Sequence, residues 1–330
     1  MSGDVAPKKR PRVCRLPDDA RRLLEVIAVA GLPIRLRDAQ TAAGLLSLPP
    51  EVVTGLRSSQ LVRGTGPSLD DDIHTFHDRI RETVVAHLSA TARRAHHARL
   101  GATLEAAGGV APETIAAHFH GGGEPERAAH YYVAAADLAV GALAFERAEG
   151  YYKQAAALAQ TDLARAEVWE KLIHYYTNMA RFADAYAVGR EAVSRFGVDL
   201  PAGFVPPLFA ADFAKVMVRL RGRAPASLLE LPTCTEPRIA IAIRLICAVA
   251  KAAYQVRPEL CVAIATKSVN LCLRHGNTAD AALDAENRQQ NQGGFSQLWA
   301  NFTSMVSWRS TTEQEGSSTE SRLARAEIRL

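Results

Sequence analysis

The sequence contains no Gly-Lys dipeptide, and this absence excludes the most familiar nucleotide-binding loop. A P-loop needs a Gly-Lys-Ser/Thr triplet so that backbone amides and one lysine reach the phosphates. Each lysine of this chain follows a residue other than glycine. The His-Arg-Asp loop and the Asp-Phe-Gly metal site of protein kinases are missing as well. We therefore predict that the chain is not an enzyme and has neither catalytic residues nor a cofactor.

Closely spaced cysteine pairs are also missing, which argues against a structural zinc site. The chain has five cysteines, an odd number. Two of them, Cys261 and Cys272, are separated by about three helical turns and could share one face of a helix. We expect free and mostly buried thiols that serve packing.

Histidines are concentrated between His74 and His130, yet none of them forms a pair four residues apart. A helical zinc site usually needs that spacing together with a third converging ligand. We predict no metal site and expect histidines on helix surfaces and interfaces.

The net positive charge of the chain comes from its N-terminal residues. The net charge is +4, and the five basic residues and one aspartate of residues 1–15 account for all of it. We interpret residues 1–15 as a basic disordered tail. No apolar run approaches the ~20 residues that span a bilayer, and no signal peptide opens the chain. We therefore expect a cytoplasmic protein that does not contact a membrane.

Residues 16–77 have the pattern of three short helices followed by two strands. Pro17, Arg37 and Pro50 mark the helix starts. Leu61–Arg63 and Ile73–Phe76 have strand composition and flank a turn. This order predicts a winged-helix-like domain.

A winged helix would place its third helix in DNA, but the charges here oppose this. Between Pro50 and Gln60 the only cation is Arg57, and the predicted wing carries the consecutive aspartates Asp70 to Asp72. Those carboxylates would repel phosphates, so we do not expect a nucleic acid partner.

From Asp78 onward the pattern is helical. A helix is predicted over Asp78–His87, with Asp78 favouring its N-terminus and with Ile80, Val84 and Leu88 forming one apolar stripe. Two further helices are predicted, over Thr91–Ala107 and Pro112–His120. Within Asp78–His87, Asp78 with Arg81 and Arg79 with Glu82 are spaced for intrahelical ion pairs. Alternatively, Arg79 or Arg81 faces a module outside this sequence.

An internal repeat of 37 residues lies between Pro125 and Phe196. One copy matches the spacing of a tetratricopeptide repeat at Trp169, Leu172, Tyr176, Phe182, Ala185 and Ala192. The other copy falls on Tyr132, Ala135, Ala139, Phe145, Ala148 and Ala155.

These residue types suit packed helix pairs, because small side chains allow backbones to approach and large ones fill the adjoining hollows. Ala148 and Ala185 are the expected close-approach positions, whereas Tyr152, Trp169 and Phe182 fill space. Ile173 stands where a small residue is usual, and both copies lack the closing proline. We therefore predict degenerate tetratricopeptide-like hairpins over residues 78–200 and a continuing helical repeat region over 201–283.

Near Asp284 the composition turns polar, and residues 284–330 are predicted to be disordered or aberrant. One explanation is a truncated gene product that is read out of frame after about Asp284. Translation of the other two frames of the coding DNA would test this hypothesis.

Four stretches together resemble the region that follows the NTPase module in bacterial signal-transduction ATPase and serine/threonine kinase fusions of the AAA-like, STAND type. The stretches are Leu16–Gly31, Phe76–Leu88, Ala144–Ala148 with Tyr151 and Tyr152, and Val269–Asn277. The resemblance implies an all-α protein in which a winged-helix-like unit precedes a tetratricopeptide-like solenoid. It further implies that Asp78, Arg79 and Arg81 form an interdomain contact.

The leading expectation is a non-catalytic regulatory fragment that binds a protein partner, or the missing NTPase or kinase module, through its helical repeat surface. One alternative is a winged-helix transcriptional regulator with a repeat sensor region. The other is a subunit that completes an ATPase or kinase in trans.

Overall fold

A computed structural model describes residues 16–203, 205–220 and 231–278 of the chain. The predicted basic tail and the predicted polar tail lie outside the described residues. The described residues form thirteen helices and three short strands, so the mostly helical prediction is confirmed. The chain divides into two compact units, residues 1–160 and 161–330.

The first unit begins with three helices and a small antiparallel sheet. The elements in chain order are α1 (Asp18–Ala30), β1 (Ile34–Arg35), α2 (Leu36–Ala43), α3 (Pro50–Ser58), β2 (Val62–Gly64) and β3 (Asp72–Thr75). The sheet order is β1-β3-β2, with Ile34 opposite Ile73 and Val62 opposite Thr75. The predicted helices and the two predicted strands are present, whereas β1 is an addition that the sequence pattern did not indicate.

The core of this region is built on α1. Leu23, Leu24 and Ile27 are fully buried on its inner side and Ile73 of the central strand is fully buried as well. Gly31 then adopts a φ of +74°, the left-handed conformation that ends a helix at little cost for glycine. Helix α1 therefore ends at this glycine, and the chain continues into β1 and α2.

Five further helices complete the first unit: α4 (Asp78–His87), α5 (Ala90–Ala107), α6 (Pro112–Gly122), α7 (Pro125–Gly141) and α8 (Phe145–Leu158). The Ser89 hydroxyl accepts a hydrogen bond from the Ala92 amide and caps α5. Gly101 allows α5 and α6 to approach closely, because a Cβ there would lie 2.8 Å from the Phe119 ring. On α4, Val84 is buried and Ile80 is half-buried, and Leu88 directly after the helix is half-buried as well.

The second unit contains α9 (Asp162–Asn178), α10 (Phe182–Ser194), α11 (Pro206–Leu220), α12 (Pro237–Val256) and α13 (Pro258–His275). Helix α12 packs against α9, α10 and α13. At the end of α13, the Asn277 amide donates to the Pro232 carbonyl at 2.8 Å. Three of the four described cysteines are buried, including Cys261 and Cys272 on α13.

Helix α12 bears on the expectation that the chain does not contact a membrane. It runs for 20 residues and is apolar enough by composition to span a bilayer, although no apolar run of that length was expected. It is the one helix of the described residues with this property. About 44% of its most apolar window is buried within the protein, and core helices pass the same test, so this is weak evidence for membrane insertion.

Candidate functional site

The turns of two helix hairpins have the same backbone geometry. Leu143, between α7 and α8, has a φ of +58°, and Ala180, between α9 and α10, has a φ of +57°. The Leu143 and Ala180 amides donate to carbonyls three residues earlier, at 3.0 and 3.1 Å. The next amides, of Ala144 and Arg181, donate to carbonyls five residues earlier, at 2.8 and 2.9 Å. Both turns are therefore Schellman motifs with a non-glycine residue in the left-handed position, and they lie 37 residues apart.

The residues of the predicted repeat occupy corresponding positions around these turns. The close-approach positions Ala148 and Ala185 are both completely buried. Phe145 and Phe182 each begin the second helix of a hairpin and are half-buried. The remaining packing residues are buried: Tyr132, Tyr152, Trp169, Leu172 and Tyr176.

The predicted contact residues lie on α4. Asp78 and Arg79 are exposed at its first turn, and Arg81 is half-buried. Among the described residues, these three form none of the intrahelical ion pairs that their spacing allows. Asp78 also lines a polar cavity of about 180 Å³ together with Arg63, His74, Phe76 and His77.

A short hydrogen bond orders the wall of this polar cavity. The Arg63 guanidinium donates through Nε to Nε2 of His74 at 2.6 Å, and Nδ1 of His74 is buried without a partner. Burial lowers the pKa of His74, and the nearby positive charge of Arg63 lowers it further. His74 is thus held neutral, and the cavity combines one guanidinium with the exposed Asp78 carboxylate.

Helix α3 and the β2–β3 loop carry few positive charges that could contact the phosphates of a nucleic acid. Arg57 directs Nη2 to the carbonyl of Gly66, within the same region. Asp71 accepts hydrogen bonds from the Ser68 amide and the Thr65 hydroxyl, and Asp70 pairs with Arg37 at 2.6 Å. The one arginine of this helix is therefore engaged inside the fold.

Three histidines lie where helices of the first unit pack together, and they belong partly to the interior. His96 and His118 are buried, and His97 is half-buried. Nε2 of His96 lies 3.2 Å from a Glu25 carboxylate oxygen, and Nδ1 of His97 lies 3.0 Å from Nδ1 of His118. Burial, followed by the influence of His97, lowers the pKa of His118 to about 4. These contacts join residues that are distant in sequence, which is why spacing alone missed them.

A second cavity in the first unit was not indicated by any motif. It is lined by Arg35, Asp38 and His118 among other residues and has a volume of about 200 Å³. Asp38 is buried, and its burial raises its pKa. The only sequence signal was an acidic residue in the first turn of a predicted helix, where carboxylates are common for reasons of helix stability.

Comparison with known proteins finds no matching family model, no matching curated protein and no matching solved structure.

Proposed function

We propose that the chain is a non-catalytic regulatory module of a bacterial signalling ATPase or serine/threonine kinase system, and that it binds a protein partner through its helical hairpins. The observation that carries this proposal is the hairpin that recurs after 37 residues, in which the same turn is followed five residues later by a completely buried alanine, Ala148 or Ala185. Repeated hairpins of one geometry are the building unit of solenoids, which commonly present extended surfaces for peptides and protein domains. The winged-helix-like unit and the tetratricopeptide-like solenoid belong to this proposal, as does a cytoplasmic location.

Helix α4 supplies the proposed contact with the ATPase or kinase module. Asp78 and Arg79 are exposed beside each other, and neither has a hydrogen-bond or ion-pair partner for its side chain among the described residues. Charged groups of opposite sign on a surface favour a partner with the complementary arrangement and steer its approach. This role agrees with the position of the resemblance, since Phe76–Leu88 includes the whole of α4.

The test is binding between the purified chain and an NTPase or kinase module encoded beside its gene, measured by isothermal titration calorimetry. We expect the double variant Asp78→Ala/Arg79→Ala to bind at least tenfold more weakly, about 1.4 kcal/mol. The matched control is Asp18→Ala/Arg21→Ala, which removes an exposed acidic-basic pair from α1. Its affinity should change less than twofold.

Two results would count against the proposal. One is a complete lack of binding to every such module. The other is an equal loss of affinity in the α4 variant and the α1 control, because that would show a general charge effect rather than a contact at Asp78 and Arg79. Nucleotide turnover by the purified chain alone would contradict its non-catalytic character.

A second candidate is a winged-helix transcriptional regulator, which the element order α1-β1-α2-α3-β2-β3 and the sheet order β1-β3-β2 favour. The charges of its α3 face are unfavourable, because Arg57 is bound to Gly66 while Glu51 is exposed. An electrophoretic gel shift at low salt tests this candidate. Binding that weakens steeply as salt is added would support it over the protein-interaction proposal.

A further inference from the structure

The 200 Å³ cavity of the first unit lies where several elements converge: the end of α1, β1, the start of α2, and the loop between α5 and α6. One part of its wall is apolar and includes Ile34, Leu104 and Val110. The polar groups are Arg35, Asp38, Asp72, Thr114 and His118. An apolar cavity with a few convergent polar groups is the usual form of a small-molecule site.

Asp38 is the unusual member of this wall. The residue is only 8% exposed, and its carboxylate forms no hydrogen bond or close ion pair with the described residues. The positive charges of Arg35 and Arg37 and the negative charge of Asp70 act on it from a distance. The amides of Leu36 and Arg37 at the start of α2 cannot serve it, because they donate to the carbonyls of Asp71 and Leu69. The Asp38 oxygens are not among the fully enclosed polar atoms without a partner, so they stay accessible to a molecule in the cavity that the residue lines. A charge-assisted hydrogen bond from a cationic ligand would be stronger there than one between neutral groups.

The charges around the cavity favour a positively charged occupant. Asp38 and Asp72 contribute two carboxylates, and Arg35 contributes one exposed guanidinium. His118 adds no charge at neutral pH, because burial lowers its pKa to about 4. The lining therefore has a net charge of −1 when both aspartates are ionised, from one positive and two negative groups.

We propose that this cavity binds a small organic cation of the alkylammonium or guanidinium class. The charged group pairs with the Asp38 carboxylate, and the carbon chain lies against Leu104 and Val110. Binding places a positive charge beside the Asp38 carboxylate and removes the apolar carbon chain of the ligand from water. One ligand therefore interacts with both the charged and the apolar part of the cavity wall. This site is independent of the protein-interaction proposal and would stand if that proposal failed.

The first test compares butylammonium, butanol and butyrate, which share a four-carbon chain and differ in the charge of the head group. Each is titrated to 50 mM into the full chain at pH 7 and followed by two-dimensional NMR. We expect saturable shifts at Asp38, Val110 and Thr114 with butylammonium, with an affinity at least tenfold greater than that for butanol. Butyrate should produce none. Guanidinium is titrated in the same way at concentrations below those that unfold the chain.

The second test uses Asp38→Asn, which keeps the shape of the side chain and removes its charge. We expect this variant to lose butylammonium binding by at least tenfold and to have a higher thermal unfolding midpoint without ligand. Asp18→Asn is the matched control, since Asp18 also lies in the first turn of a helix but is exposed. It should bind butylammonium like the unaltered chain.

The proposal fails if butanol binds as well as butylammonium, because the cavity would then recognise only the carbon chain. It also fails if neither cation produces saturable shifts at Asp38, Val110 and Thr114. The three-ligand comparison needs no variant, so it decides the question even if Asp38→Asn does not fold.

Discussion

The two helix hairpins, α7 with α8 and α9 with α10, share a turn but differ in what fills the space around it. In the first hairpin, the hydroxyl of Tyr152 donates to Asp137 of the partner helix, so the hairpin fills its own interior. The position 37 residues later is Gly189, where α10 meets Val249 of α12. The first hairpin therefore has a large side chain, Tyr152, at this position, whereas the second has a glycine, Gly189, against which the neighbouring helix α12 packs.

This difference shows which parts of the repeat are constrained by the hairpin itself. Ala148 and Ala185 are the same residue type, and Leu143 and Ala180 share the left-handed conformation, because the two helices of each hairpin approach there. The first helices are free to differ: Ala135 stands where the second copy has Leu172. Packing against surrounding elements, which differs between copies, decides these positions.

The largest effect is expected from exchanging those two positions. Leu172 is almost completely buried, so Leu172→Ala should lower the free energy of unfolding by about 2–5 kcal/mol through lost burial and a cavity. The reverse change, Ala135→Leu, should cost about 1–3 kcal/mol, because Ala135 is buried and a larger side chain must displace its neighbours. Urea denaturation followed by circular dichroism measures both. If both variants kept the stability of the unaltered chain, the two interiors would not be specialised in this way.

Acid should weaken the unit that contains the first hairpin. His118 has a pKa of about 4 in the folded protein, compared with an ordinary value of 6.5. Between these values the unfolded chain binds a proton that the folded chain does not, so stability falls as the pH is lowered from 6.5 to 4. The contribution of His118 approaches about 3 kcal/mol and does not grow further below pH 4.

The measurement is urea denaturation across pH 7 to 4, with His118→Asn as the comparison. Asparagine can keep a nitrogen near the position of Nδ1, and thus the contact with His97, but it does not titrate in this range. The variant should therefore show a smaller loss of stability on acidification. Equal pH dependence in both chains would remove His118 as the cause and direct attention to His96 and His97, whose pKa values burial also lowers.

Much of the helical layout could be predicted because its signals are local. The start of α4 at Asp78 and the ends of α1 and α2 at Gly31 and Gly44 follow from residues that cap helices wherever they occur. Strand β1 was missed because a two-residue strand is too short to show alternation. The left-handed turns at Leu143 and Ala180 could not be predicted from the sequence, because glycine is the residue that usually indicates that conformation.

The cavity around Asp38 could not be predicted for a different reason. Asp38 and His118 are brought together by the packing of α2 and α6 around α5, and no spacing along the chain encodes that meeting. An aspartate in the first turn of a helix is ordinarily exposed, so its identity alone does not reveal burial. Conversely, Asp78 and Arg79 were singled out from the sequence, and the structure places both on the exposed first turn of α4.

A smaller effect on stability is expected when one glycine in each hairpin, Gly189 or Gly150, is replaced by alanine. A Cβ on Gly189 would lie 1.9 Å from a methyl carbon of the buried Val249, so Gly189→Ala should destabilise the protein by about 1–3 kcal/mol. Gly150 of α8 is the matched control, because a Cβ there meets no atom within 4 Å. Gly150→Ala should instead stabilise the helix by about 0.5–1 kcal/mol. Thermal denaturation should move in opposite directions for the two variants, and a shift of the same sign in both would contradict the close approach of α10 and α12.

The smallest effect concerns the feature that the hairpins share. Leu143 and Ala180 occupy the left-handed region, which costs an ordinary residue about 1–2 kcal/mol. Replacing either with glycine removes that strain but increases the freedom of the unfolded chain, so Leu143→Gly and Ala180→Gly should each stabilise the protein by at most about 1 kcal/mol. Gly44→Ala is the reverse control, because Gly44 has a φ of +70° with only a side-chain atom of Arg99 nearby, and it should be destabilising. Similar gains in the two hairpins are expected from their equal φ values, whereas a gain in one and a loss in the other would show that the turns are not energetically equivalent.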